Sequence, residues 1–301
     1  MLARNKEFNN LKVHTQYSIC EGAIKIDDLA NYCKINKIKA IGLADSYNLC
    51  GALEFAEKIS KTGTQPIIGT QINILSENQI GKITLYATSE NGYKNLTKLS
   101  SISYLKNKDS YDPYCNIDDL ISNNEDLILL TGNYNNFFGK LFYANKIKYF
   151  EKIIKKLKSS FKDRLYIEIQ RHGESQEENY ENYLLQLSSS SNLPIIAGQE
   201  VYYLDPNMAE AHDALICIGE KQFIDDKNRF RYSNQHYIKK TEELEKLYKD
   251  IPEALENNYN FPLRFNFKPK KSKPILPSIS NDKETSAEKE LLRQAEIGLE
   301  N

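Results

Sequence analysis

Apolar stretches of strand length recur along the chain at residues 11–14, 40–44, 67–74, 83–87, 127–131, 165–169 and 194–197. Between them, residues 26–37, 52–61, 92–105, 137–157 and 178–189 carry apolar side chains at mixed i+3 and i+4 spacing, the signature of helices with one buried face. Asp27 and Asp28 fall in the first turn of the first of these, where the helix dipole favours them. Seven short strands alternating with helices predict an α/β protein built on a parallel sheet. No glycine-rich phosphate loop follows the first strand, which favours a closed barrel over an open doubly wound sheet.

After Leu204 the alternation stops. Residues 208–219 and 241–248 read as helices on either side of an irregular 223–237. Residues 261–277 hold Pro262, Pro269, Pro274 and Pro277 among Arg264, Lys268, Lys270, Lys271 and Lys273, a composition that reads as an extended linker or a strap. Residues 286–301 form a helical pattern opened by Ser286, read as a capping box, with no core of its own. A terminal helix without a packing partner predicts that the chain is the front part of something longer.

With 301 residues the chain can bury one large core or two ordinary ones. Forty Lys and Arg against 41 Asp and Glu leave a net charge of −1, so global charge gives no reason to expect nucleic-acid binding, although a local basic patch is compatible with it. No apolar run reaches membrane-spanning length and the N-terminus lacks a signal-peptide core, which predicts a cytoplasmic protein with no membrane contact. Five cysteines, Cys20, Cys33, Cys50, Cys115 and Cys217, are widely spaced with no CxxC pair, so most are expected as buried small hydrophobes rather than disulfides or zinc ligands.

Candidate chemistry gathers where strands end. LKVHTQYSICEG (residues 11–22) and ADSYNLCGALEF (residues 44–55) each follow an apolar run and precede a helical pattern, as active-site segments of parallel β/α proteins do. The strand ends supply His14, Asp45, Gln71, Lys82, Asn133, Glu168, His172 and Glu200. Imidazole and carboxylate together suit a divalent ion, so His14, Glu168, His172 and Glu200 could hold one; the alternative is a salt-bridged polar floor. Lys12 and Lys82 stand where further ligands would complete a polynuclear site, and are expected to pair with Glu21, Glu168 or Glu200 and replace a metal's charge. The remaining acids at the mouth are expected to pair with these lysines or with Arg171. No GxSxG or catalytic cysteine context supports a nucleophilic triad, and His212 is expected to pack or cap. The basic run from Arg264 to Lys273, beside Phe265 and Phe267, could touch a phosphate backbone, though a solvated linker is the plainer reading.

The series VHTQYSICEGA, ADSYNLCGALEF, PIIGTQINI, GYKNLTKLSS, YIEIQRHG, YYLDPNMAEAHDALICIG and YSNQHYIKKTEELEKLYKDIPEAL, in this order, resembles the N-terminal PHP domain of bacterial DNA polymerase III alpha subunits. The resemblance runs from about Phe8 to Pro277, and the last helix resembles the segment leading into the polymerase palm. It implies a distorted seven-stranded β/α barrel over residues 1–260 with a helical and irregular C-terminal extension, a linker over 261–285, and the start of a palm segment over 286–301. Mapped onto metal-binding members, the chain keeps His14, Asp45, His172 and Glu200 and has Glu21 for an Asp, but carries Lys12, Ser46, Gln71, Lys82 and Tyr202 where ligands would stand.

These departures imply a degenerate pocket, with His14, Asp45, Glu168, His172 and Glu200 as vestigial members, no catalytic residue and no expected cofactor. Any cofactor would be a divalent ion (Mn, Zn or Mg). The implied role is a scaffold of the replicative polymerase that docks the proofreading exonuclease subunit and meets DNA only through the full-length protein. The palm aspartates lie beyond the resemblance, so no nucleotidyl transfer is expected of this chain. The alternative is a metal-dependent phosphodiesterase or 3′–5′ exonuclease of the PHP type.

Overall fold

The computed structural model describes residues 6–106, 112–274 and 286–300, which fall into two units, Met1–Pro269 and Lys270–Asn301. Among the described residues of the first unit nine strands make one sheet: β1 Lys12–Val13, β2 Ala40–Leu43, β3 Gln65–Ser76, β4 Gln79–Ala87, β5 Tyr114–Cys115, β6 Leu127–Leu130, β7 Leu165–Gln170, β8 Ile195–Gly198 and β9 Glu200–Val201. The order is β8-β7-β6-β4-β3-β2-β1-β9, with β5 off this path on β3. The two ends of that order, β8 and β9, are separated in the chain by Gln199 alone. One continuous segment therefore pairs with β7 through its first half and with β1 through its second, and the sheet closes on itself. With β8 and β9 taken as one stave, the barrel has the seven strands expected.

The expectation of an all-parallel barrel fails at one stave. β4 runs antiparallel to both β3 and β6. Ser76 pairs with Gln79 across Glu77 and Asn78, whose φ values of 46° and 62° make a two-residue turn in the left-handed region. Such primed turns match the twist of a hairpin. The connection is too short for a crossover, which needs a dozen or more residues.

Side chains alternate across the wall. Leu127, Leu129, Leu165, Ile167, Ile195 and Ala197 face the helices, whereas Ile67, Tyr86, Ile128, Tyr166 and Ile196 form a separate apolar cluster with Leu11 and Ala40. Phe261 and Phe265 join this second cluster, and the Tyr86 hydroxyl donates to the Leu11 carbonyl at 2.9 Å. These residues fill the barrel's N-terminal end. Residues 261–269, expected to begin a linker, thus include two core aromatics, and the first unit runs on to Pro269. Arg264, from the basic run, is spent on Asp163 at 2.7 Å and on the Tyr166 hydroxyl at 2.7 Å.

The helix expected over 137–157 is two, Phe137–Tyr143 and Ile147–Phe161, broken where Asn145 takes φ 56°. Helices at Ile117–Ser122 and Pro252–Asn260 were not legible in the pattern. Cys33, Cys115 and Cys217 are buried, Cys20 half-buried and Cys50 exposed, all as free thiols.

In the second unit the helix Ala287–Glu300 starts where Ser286 Oγ accepts from the Lys289 amide at 3.3 Å. The residue three positions past Ser286 is Lys289, so the reciprocal half of a capping box is missing. The segment 275–285, most of the expected linker, and Asn301 lie outside the described residues.

Candidate functional site

Above the apolar floor the barrel interior turns polar, because the inward positions of the same strands now carry Lys12, Gln71, Glu168 and Glu200. Lys12 comes from β1, is 0% exposed, and places Nζ 3.2 Å from Glu168 Oε2 and 3.8 Å from Glu200 Oε1. Glu200 Oε1 also accepts from His14 Nε2 at 3.1 Å and Gln71 Nε2 at 2.7 Å, and its Oε2 from Asn133 Nδ2 at 3.3 Å. Burial pushes the Glu200 carboxyl up, but Lys12 and His14 outweigh burial and hold it well below the usual carboxylate range. Glu168 has fewer donors, Lys12 and Gln170 Nε2 at 2.8 Å, and burial wins, so its carboxyl is raised. Of the two carboxylates, Glu200 is the better compensated. A Cβ at position 198 would lie 2.2 Å from Glu168 Oε1, so only glycine lets that carboxylate fold across the barrel.

A second ion pair sits nearer the rim. Lys82 Nζ is 2.6 Å from Glu21 Oε1 and 3.0 Å from Ser46 Oγ, and Ser46 Oγ donates to Glu21 Oε2 at 2.5 Å. Burial lowers the Lys82 ammonium, and Glu21 outweighs that, leaving it raised. The same lysine lies 4.9 Å above the Tyr47 ring.

The other candidates are used differently. Asp45, just past β2, accepts from Thr15 N at 2.6 Å, Ser18 Oγ at 2.7 Å and Thr15 Oγ1 at 2.8 Å, pinning the turn after β1 to the next strand. His172 accepts the Glu200 amide on Nε2 at 3.2 Å, which leaves Nδ1 to donate to Glu177 Oε1 at 3.2 Å. Burial pushes its pKa down to about 3, so it is a neutral imidazole with both nitrogens engaged. Its ring stacks on His236 at 4.1 Å. His212 packs, as expected, against Tyr202 with Nε2 on the Glu21 carbonyl at 2.8 Å. Arg171 does not reach the mouth acids: it pairs with Glu181 at 2.5 Å and Asp250 at 2.7 Å.

The structure therefore brings Lys12, His14, Gln71, Asn133, Glu168 and Glu200 into one network, sets Lys82 with Glu21 beside it, and leaves Asp45 and His172 to backbone-bracing roles. Sequence reasoning passed over Ser18, Gln170 and Glu177. Gln170 sits two positions past Glu168 on the same strand face, a signal that period-two reading offers.

A model of the PHP domain matches residues 10–172. The chain belongs to the PHP domain family. Among curated proteins it is 35% identical to the DNA polymerase III subunit alpha of Caulobacter vibrioides, over 99% of this chain and 27% of that protein. It is 34% identical to the subunit alpha of Rickettsia prowazekii, over 91% of this chain and 23% of that one. The chain thus spans about a quarter of the length of the curated relatives it matches. Among solved structures, an amidohydrolase from Chromobacterium violaceum superposes with a TM-score of 0.44 at 9% identity, covering 64% of this chain and 87% of its own.

The resemblance to metal-binding PHP domains implies a divalent ion in this pocket. The residues do not fit one. Both His172 nitrogens and all three short Asp45 contacts are taken by this chain's own groups, and Lys12 Nζ lies within 4 Å of both Glu168 and Glu200. Among the described residues, no three His, Cys, Asp or Glu side chains are grouped to hold a metal ion. No helix among them is long and apolar enough to cross a membrane.

Proposed function

We propose that this chain is the PHP portion of a DNA polymerase III alpha subunit acting in DNA replication, a metal-free scaffold in the cytoplasm that docks the proofreading exonuclease subunit. The observation that carries this reading is Lys12 between Glu168 and Glu200, a fixed ammonium where a catalytic site would hold a cation. Lys82 on Glu21 does the same at the rim. In this reading both lysines replace a metal's charge, and His14, Asp45, Glu168, His172 and Glu200 are the vestige of the pocket. Identity to alpha subunits along nearly the whole chain supports the replicative context. In this reading the barrel with its C-terminal elements makes up the first unit, Met1–Pro269, and residues 286–301 are the start of the palm segment. Ile218 and Phe223, 71% and 80% exposed, give a scaffold apolar surface to offer a partner.

The alternative, a metal-dependent phosphodiesterase or 3′–5′ exonuclease, needs cation ligands that Lys12 and the Thr15 and Ser18 donors already occupy. Calorimetric titration of the purified chain with Mn²⁺, Zn²⁺ and then the exonuclease subunit, with thermal melts alongside, tests both halves. Heat and a raised melting temperature are expected with the exonuclease and with neither metal. Micromolar metal binding with a raised melting temperature would overturn the scaffold reading, and silence with the exonuclease would overturn the docking role.

A further inference from the structure

Lys239 is a second buried lysine, 4% exposed, and no carboxylate lies within the 4 Å of an ion pair among the described residues. Its Nζ donates to the Gln235 carbonyl and lies 4.4 Å over the Tyr237 ring. Glu243 and Glu177 act on it only from beyond ion-pair range, because Glu243 is turned to the Tyr237 hydroxyl and Glu177 to the amides of His172, Gly173 and Glu174. A buried ammonium with no carboxylate in contact is costly, and proteins ordinarily pair it.

Two adjoining cavities share Lys239 and Lys240 in their walls. One, of about 650 Å³, also has Arg171, Gln235 and Lys246; the other, of about 560 Å³, has Lys6, Tyr32, Lys37 and Lys39. Arg171 is neutralised by Glu181 and Asp250, and Lys6 by Glu256 at 3.6 Å. Among the described residues Lys37, Lys39, Lys240 and Lys246 have no ion-pair partner, against Glu7, Glu242 and Glu243 on the same walls. Burial pushes the Lys239 pKa down to about 8, consistent with a charge lacking compensation.

We propose that these adjoining cavities bind a phosphate-bearing ligand whose anion supplies the contact counter-charge that Lys239 lacks. Lysines at both ends suit either a free phosphate compound or the backbone of a single strand. The first cavity shares the His172 wall with the vestigial pocket, but the charges proposed to hold the ligand are Lys239, Lys240 and Lys246 rather than Lys12, and the site does not depend on the polymerase reading.

The test uses the full chain in metal-free buffer at matched ionic strength. Inorganic phosphate and dTTP are titrated by calorimetry, and a labelled oligo-dT of about twelve nucleotides by fluorescence anisotropy. Binding of at least one probe is expected, with Lys239→Met weakening it about tenfold or more and Lys239→Arg retaining it. A Lys240→Gln/Lys246→Gln variant weakens it too, and serves if Lys239→Met does not fold. Binding of the oligonucleotide alone assigns the site to a strand backbone, and equal binding of all three assigns it to a free phosphate group. No binding by any probe overturns the proposal. So does equal loss from Lys155→Gln on the exposed face of the helix Ile147–Phe161, which would mark general electrostatics.

Discussion

Two lysines, both buried, meet opposite fates in this molecule. Lys12 arrives from β1 inside the barrel and finds Glu168 at 3.2 Å and Glu200 at 3.8 Å. Lys239 arrives on the outer wall and finds a carbonyl, a tyrosine ring and two carboxylates already engaged. The first charge is closed within the fold, and removing it strands two acids. The second is left open, so removing it relieves the fold. Burial alone does not say whether a lysine is structural or poised for a ligand. The count of carboxylates within reach does.

The sharpest way to break this contrast is Lys12→Met. It leaves Glu168 and Glu200 in the dry interior with only His14 and amide donors, and uncompensated buried charge costs about 3–5 kcal/mol. Urea denaturation at neutral pH should show a loss of that size, and adding Glu168→Gln should restore a good part of it. A loss under about 1 kcal/mol would mean that Lys12 is not the keystone of the network.

A smaller effect reads the acid partner. Glu200 is held below its unfolded value, so its contribution is complete above about pH 4 and is lost as pH falls through the folded pKa. Burial raises Glu168 and Asp45, whose contributions run the other way and titrate at higher pH. Below about pH 4 the wild type should therefore lose up to about 1.4 kcal/mol per pH unit for this proton. Glu200→Gln should flatten that acid limb. An unchanged limb would place the charge on Glu168 instead.

Why one lysine was foreseeable and the other not follows from where the information lay. Lys12 and Glu200 sit at inward positions of strands that hydrophobic patterning finds, and the resemblance to PHP barrels fixes which strand ends converge. The direction of β4 was also within reach: no helical pattern separates residues 74 and 83, and Asn78 tolerates the left-handed turn that a hairpin requires. The break at Asn145 was harder, since apolar spacing continues on both sides of it. Lys239 lies in a segment without period, and its burial depends on the packing of Ile238 against the core and of the helix Thr241–Leu247 beside it. Only tertiary structure brings Lys37 and Lys39 to the same cavity as Lys240. Glu177, which braces His172, stands five residues past it across a turn, where no strand or helix spacing points.

Lys239→Met sharpens the contrast from the other side. The folded pKa of about 8 lies below the unfolded value near 10.5, so between those limits the unfolded chain binds more protons and stability rises with pH. Below pH 8 the full cost of the buried charge is present; above about pH 10.5 it is gone. The substitution loses the contact with the Tyr237 ring but removes that cost, and the net expectation at pH 7 is a gain on the order of 1 kcal/mol. Thermal and urea unfolding followed from pH 7 to pH 10.5 should show variant and wild type converging as the lysine neutralises. If Lys239→Met instead loses several kcal/mol at every pH, Lys239 is held as Lys12 is, and the two lysines belong to one class after all.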